Sequence, residues 1–118
     1  MSILGTLNSR PGVFAAGEYS WRGDRFSYEG RLDREQARMA SIMCRATTLG
    51  VHMQTDILSD LCDRCGAVPA RGWIVRGPRF SVCVVANVFC FVDNDTADIN
   101  DIVAYMRRVL ADVPLDMV

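Results

Sequence analysis

The chain has 118 residues, half of them hydrophobic, 13 Lys and Arg against 14 Asp and Glu, and a formal net charge of −1. That length suits one domain, residues 1–118, whose core needs no metal or disulfide to hold it. The near-neutral charge supplies no drive toward nucleic acid or acidic membranes, so neither is an expected partner.

The first residues, Met-Ser-Ile-Leu-Gly-Thr, lack the basic and apolar regions of a leader. Ser2 is placed to cap a short helix carrying Ile3, Leu4 and Leu7, which Pro11-Gly12 stops. Val13–Tyr19 then reads as a strand. The cluster Ser20-Trp21-Arg22-Gly23-Asp24 is turn-like, and in Arg25–Glu29 the aromatics Phe26 and Tyr28 alternate with polar neighbours, as in a half-exposed edge strand.

From Asp33 to about Leu61 there is no proline, and the acidic start Asp33-Arg34-Glu35 suits a helix N-terminus. One long helix is predicted. Arg34, Arg38, Ser41, Arg45, Thr48, His52, Asp56, Ser59 and Asp63 recur at three- or four-residue steps and predict one narrow polar stripe. Met39, Ala40, Ile42, Met43, Ala46, Leu49, Gly50, Met53, Ile57, Leu58 and Leu61 cover more of the circumference than one core-facing stripe needs. The helix should therefore touch something besides its own sheet. Gly50 sacrifices roughly 1 kcal/mol of helix propensity, which fits either close approach of a second backbone or a kink.

Gly72–Asp93 reads as three consecutive strands, Trp73–Val75, Phe80–Val85 and Val88–Val92, separated by Gly77-Pro78 and Ala86-Asn87. Links this short allow only antiparallel neighbours. The last two strands are apolar at both parities, so both faces of the sheet must be covered. Their combined run, Val82–Val92, is broken by Asn87 and far too short to cross a membrane. Asp95 or Thr96 should cap a last helix, whose Ile99, Ile102, Val103, Met106, Val109 and Leu110 form an amphipathic stripe ended by Arg107, Arg108 and then Pro114. The expected fold is α/β of the α+β kind, in the order α-β-β-α-β-β-β-α: a five-stranded antiparallel sheet with the long helix on one face and the terminal helices on the other.

With this order of elements the chain resembles the roadblock / dynein light-chain family, small modules related to longin and profilin-like domains. It is most similar to a bacterial subgroup of unsettled function, through Pro11-Gly12-Val13…Ala16-Gly17-Glu18, Met39-Ala40…Met43-Cys44, Gly72-Trp73 and Ser81-Val82-Cys83-Val84-Val85…Asn87-Val88…Phe91-Val92. The resemblance implies a homodimeric scaffold or regulator without enzymatic activity, in some relatives one that holds a small Ras-like GTPase. The chain has no glycine loop ending in Gly-Lys-Ser/Thr and so is not such a GTPase itself. In a sheet ordered like that family's, the edges are Arg25–Glu29, polar and self-protecting, and Gly72–Val75, apolar. The second edge invites its own copy, which places Met43, Gly50, Met53, Gly72, Trp73, Ile74 and Val75 at a dimer interface.

Cys62-Asp-Arg-Cys65 is the one motif that invites an enzymatic reading, a small cytoplasmic thiol protein in redox or sulfur-transfer chemistry. A helix C-terminus opposes the thiolate there, although Arg64 partly compensates. No second closely spaced ligand pair accompanies it for zinc, so no metal or other cofactor is expected. Five cysteines, an odd number, suit a reducing compartment and hence the cytoplasm. If Ala86-Asn87 is a two-residue loop, Cys83 and Cys90 face each other as buried apolar residues. His52, the sole histidine, reads as a solvated surface group, or as one tuned by Thr48 and Asp56. The cluster Asp93-Asn94-Asp95…Asp98 lacks the glycine and terminal glutamate of a calcium loop and is better explained by helix capping. Arg71, Arg76 and Arg79 guard a sheet edge, or meet an acidic partner.

Overall fold

The computed structural model describes residues 2–61 and 71–113. Its elements are α1 (Ile3–Asn8), β1 (Val13–Tyr19), β2 (Phe26–Gly30), α2 (Arg34–Leu61), β3 (Gly72–Arg76), β4 (Phe80–Val85), β5 (Val88–Asp93) and α3 (Ile99–Val109). The five strands form one sheet in the order β2-β1-β5-β4-β3, every pairing antiparallel. This is the order and sheet expected from the sequence.

Both sheet faces are covered, as the parity of β4 and β5 demanded. Cys83, Val85, Val88, Cys90 and Val92 pack with Leu4 and Leu7 of α1 and with Ile99, Ile102 and Met106 of α3. Val84 and Phe89 point the other way and pack with Tyr19, Ala40 and Cys44. Each buried large side chain contributes about 1.5–3 kcal/mol, so the two layers dominate stability. Gly17 lies opposite Phe89 in the β1–β5 register. A Cβ at Gly17 would sit 2.3 Å from Phe89 Cζ, so the missing side chain is what lets the ring lie across the strand.

Ser2 caps α1, accepting a hydrogen bond from the Gly5 amide. Asp33 caps α2 reciprocally: its Oδ1 accepts from the Gln36 amide at 2.7 Å, and its own amide donates to Gln36 Oε1 at 3.0 Å. The cap of α3 is Asp98, whose Oδ1 accepts from the Asp101 amide at 3.0 Å, and neither Asp95 nor Thr96. The physical reason is that Asp93–Ala97 forms a turn of its own. The Asp95 amide donates to Asp93 Oδ1, and the Ala97 amide bonds the Asp93 carbonyl.

Candidate functional site

The long helix presents its small side to the sheet. Its buried residues are Ala37, Ala40, Ser41, Cys44 and Thr48. The bulk of this interface comes from the sheet side, from Tyr19, Phe89 and the half-buried Trp73 and Phe91. Close packing of large rings requires small partners opposite, and the helix supplies them. The predicted polar stripe is therefore not a single exposed face. Ser41 and Thr48, two of its members, are buried, and α2 runs unbroken through Gly50.

Burial of these hydroxyls is offset by hydrogen bonding. Ser41 Oγ donates to the Ala37 carbonyl at 2.8 Å. Thr48 Oγ1 donates to the Cys44 carbonyl at 2.9 Å. The same oxygen accepts from Trp73 Nε1 at 2.8 Å and lies 2.9 Å from the Tyr19 hydroxyl. With its only proton committed to Cys44, Thr48 accepts from both aromatic donors, which fills its bonding capacity. Burial pushes the Tyr19 phenol up to about 12. One threonine thus joins β1, β3 and the middle of α2.

With its small side inward, α2 turns its large apolar residues outward. Met39, Met43, Met53 and Ile57 are 45%, 61%, 67% and 62% exposed. Together with Ala46 and Gly50 they follow a 4-3-4-3-4 spacing along one side of the helix. The order is nearly palindromic about the level of residue 48. Met39 mirrors Ile57, Met43 mirrors Met53, and the small Ala46 mirrors the small Gly50. A Cβ at Gly50 would meet nothing within 4 Å, so nothing within the described chain requires a glycine there.

Beside this seam, β3 pairs only with β4 and leaves its other edge open. Gly72, Ile74 and Val75 are exposed there, while Trp73 is half-buried and turned toward Thr48. An apolar groove of about 540 Å³ connects the two features, walled by Met39 and Met43 of α2 and by Trp73, Val75, Val82 and Phe91 of the sheet. Of the seven residues expected at an interface, Met43, Trp73 and Val75 line this groove. Gly50 and Met53 continue along the seam, and Gly72 and Ile74 along the edge. Met39 and Ile57 complete the seam, and their spacing relative to Met43 and Met53 was the signal that could have found them.

Of the remaining candidates, Cys44, Cys83, Cys90 and Arg71 carry structural roles. Cys62 and Cys65 lie outside the described residues. Burial pushes the Cys44 thiol up to about 12. Cys83 and Cys90 face each other across the β4–β5 hairpin, as the two-residue loop predicted, and both are fully buried. The hydrogen bond it donates to Cys83, and then burial, push the Cys90 thiol up. His52 is half-buried, and its carbonyl accepts from Thr55 Oγ1. Arg71 donates to the carbonyls of Leu110 and Ala111 at 3.0 and 2.9 Å, closing the end of α3. Arg76 and Arg79 are exposed. Among the described residues no three His, Cys, Asp or Glu side chains are grouped to hold a metal, and no helix is long and apolar enough to cross a membrane.

A family model described as "Uncharacterized conserved protein (DUF2173)" matches residues 3–108. Among solved structures, the fold is similar to a Roadblock/LC7 domain from Streptomyces avermitilis, with a TM-score of 0.56 and 17% sequence identity, covering 92% of this chain and 94% of that one. No curated protein matches the sequence. The roadblock-like architecture expected from the order of elements is the one present.

Proposed function

Because the chain belongs to the DUF2173 family of uncharacterized conserved proteins, a membership that brings no chemistry with it, we propose its function from its surface: a non-enzymatic, homodimeric interaction module that holds or regulates another protein. The observation that carries this reading is the outward apolar seam of α2. A soluble monomer gains nothing from presenting four large hydrophobic residues in register along one helix. A second copy laid antiparallel on a two-fold axis at the level of residue 48 would set Met39 against the second copy's Ile57, and Met43 against its Met53. The small pair, Ala46 and Gly50, would then meet at the crossing, where backbones approach most closely.

The open edge of β3 is the natural continuation of such an interface. Pairing Gly72–Val75 with its copy satisfies the free backbone groups and buries Ile74 and Val75. Arg34 and Arg38 near the start of α2, and Asp56 and Asp60 near its end, would bring opposite charges together in the antiparallel arrangement. They favour orientation more than affinity. We place the dimer in the cytoplasm, on the odd cysteine count, with a small Ras-like GTPase as the partner implied by the sequence resemblance. The competing reading, a thiol protein working through Cys62 and Cys65, gains no observation from the described residues.

Sedimentation equilibrium at micromolar concentration tests the dimer, and a wild-type monomer overturns it. For the partner, a Ras-like GTPase should bind differently in its two nucleotide states. Equal affinity for both removes the regulatory part, since a ligand without differential affinity shifts no equilibrium.

A further inference from the structure

On the other flank of α2, a cleft of about 210 Å³ separates the helix from the β1–β2 hairpin. Arg25, Arg38 and Arg45 line it, with Asp24 at the turn and Phe26 and Ile42 as an apolar wall. Two of the three arginines are held in place before any ligand arrives. Arg45 Nε donates to the Trp21 carbonyl at 2.7 Å, and its guanidinium rests on Gly23 of the hairpin turn. A Cβ at Gly23 would stand 3.3 Å from Arg45 Cζ, and its φ of +82° is one that side-chain-bearing residues avoid. The other N–H groups of Arg45 have no protein acceptor among the described residues. Arg38 is forked onto Glu35 one turn earlier, through Nε to Oε2 at 3.0 Å and Nη2 to Oε1.

Two carboxylates, Asp24 and Glu35, stand near these arginines. Asp24 accepts from Ser20 Oγ at 2.7 Å, a bond that holds its carboxyl below the usual carboxylate range. Glu35 is committed to Arg38. Arg34 adds a fourth cation, its guanidinium carbon 5.3 Å from the centre of the Phe26 ring. Positive charge therefore predominates around an apolar wall. We propose that this cleft binds a small phosphate monoester, its phosphate on the guanidinium edges of Arg25, Arg38 and Arg45 and its organic group against Phe26 and Ile42. Guanidinium forks match the paired oxygens of a tetrahedral dianion, and converging arginines exceed what a single carboxylate needs. The site lies within one protomer and does not depend on the seam, so it stands or falls separately from the dimer.

Phenyl phosphate is the probe, titrated into the full chain at low ionic strength and followed by amide NMR and calorimetry. Saturable binding is expected, with the largest shifts at Gly23 and Arg45, competition by inorganic phosphate, and at least about tenfold weaker binding of benzoate. Arg45→Met should weaken phenyl phosphate about tenfold or more, and Arg45→Lys, which keeps the charge but not the fork, should recover only part of that. Arg107→Met, on α3, should leave binding unchanged. Gly23→Val, which displaces the Arg45 guanidinium while keeping every charge, should weaken binding with the thermal midpoint as a check on folding. The assignment is overturned by absence of saturation, by benzoate binding as tightly as phenyl phosphate, by Arg45→Met binding like wild type, or by an equal loss in Arg107→Met.

Discussion

Trp73 on the edge strand donates its indole N–H to Thr48 at the middle of the long helix, 2.8 Å away. The same threonine oxygen also serves the Tyr19 hydroxyl. Thr48→Val keeps the shape but takes the acceptor from Trp73 and leaves Tyr19 only the Ala86 carbonyl at 3.5 Å. Each buried donor left alone costs about 1–3 kcal/mol, so the substitution should lower the thermal midpoint by several degrees and alter Trp73 fluorescence. Thr48→Ser should retain most of the stability. Equal midpoints for Val and wild type would show that the three-way bond contributes nothing.

Gly50 separates the needs of one protomer from those of two. Gly50→Ala meets open space within the described chain, so helix propensity should raise protomer stability by about 0.5–1 kcal/mol. At the crossing of two helices the same methyl, and more so Gly50→Leu, should weaken association. Ile74→Pro should weaken it as well by removing a strand hydrogen bond. Urea unfolding and sedimentation equilibrium read the two effects independently, and an unchanged dimer in both Gly50→Leu and Ile74→Pro would exclude this mode of pairing.

Alkaline pH should destabilise the fold. In the unfolded chain the Cys44 thiol ionises near pH 9 and the Tyr19 phenol near 10, whereas the folded protein keeps both protonated until about 12. The unfolded state releases its protons first. Stability is therefore complete below pH 9 and falls as pH rises from 9 toward 12. Urea midpoints across that range should decline, and Cys44→Ala should flatten the early part of the decline. A midpoint independent of pH up to 11 would contradict the burial of both groups.

Thiol reactivity distinguishes the two functional classes. Cys44, Cys83 and Cys90, all buried, should alkylate at neutral pH far more slowly than a peptide thiol. If the protein is an interaction module, Cys62 and Cys65 should react no faster than that same thiol. A markedly faster Cys62 or Cys65 would favour the redox reading over the one proposed above.

Gly17→Ala should cost about 1–3 kcal/mol, because the new methyl collides with the Phe89 ring. Placed in a Phe89→Leu background, the same change should cost less, and a double-mutant cycle in denaturant measures the difference. Additive effects would mean that the ring and the glycine are not coupled.

The sheet was legible because both parities of Val82–Val85 and Val88–Val92 are apolar, a pattern that only a doubly covered antiparallel core explains. Which side of α2 faces the sheet was not legible, although Met43, Gly50 and Met53 were placed outward. Hydrophobic periodicity assumes that large apolar residues point inward, and here the rings of Tyr19, Trp73 and Phe89 lie beneath the helix against the small Ala37, Ala40, Ser41, Cys44 and Thr48. The burial of Ser41 and Thr48, members of the polar stripe, was not visible because a sequence does not display the acceptor that each hydroxyl finds. The Asp33–Gln36 cap, by contrast, follows a spacing visible in the chain. Much of the seam was visible as surplus hydrophobicity, while its symmetry emerged only once the outward face was known.

The insertion of β1 between β2 and β5 has a consequence for how the chain is made. β3, β4 and β5 are neighbours in sequence and joined by short turns, so they assemble from local pairings, whereas Glu18 must find Val88 across most of the polypeptide. During synthesis β1 and its hairpin leave the ribosome long before the strand that completes them exists. Val13 and Ala16 have only Leu4 and Leu7 of α1 to pack on through that interval, which makes the chain before β5 exists, rather than the finished protein, the form most exposed to misassembly.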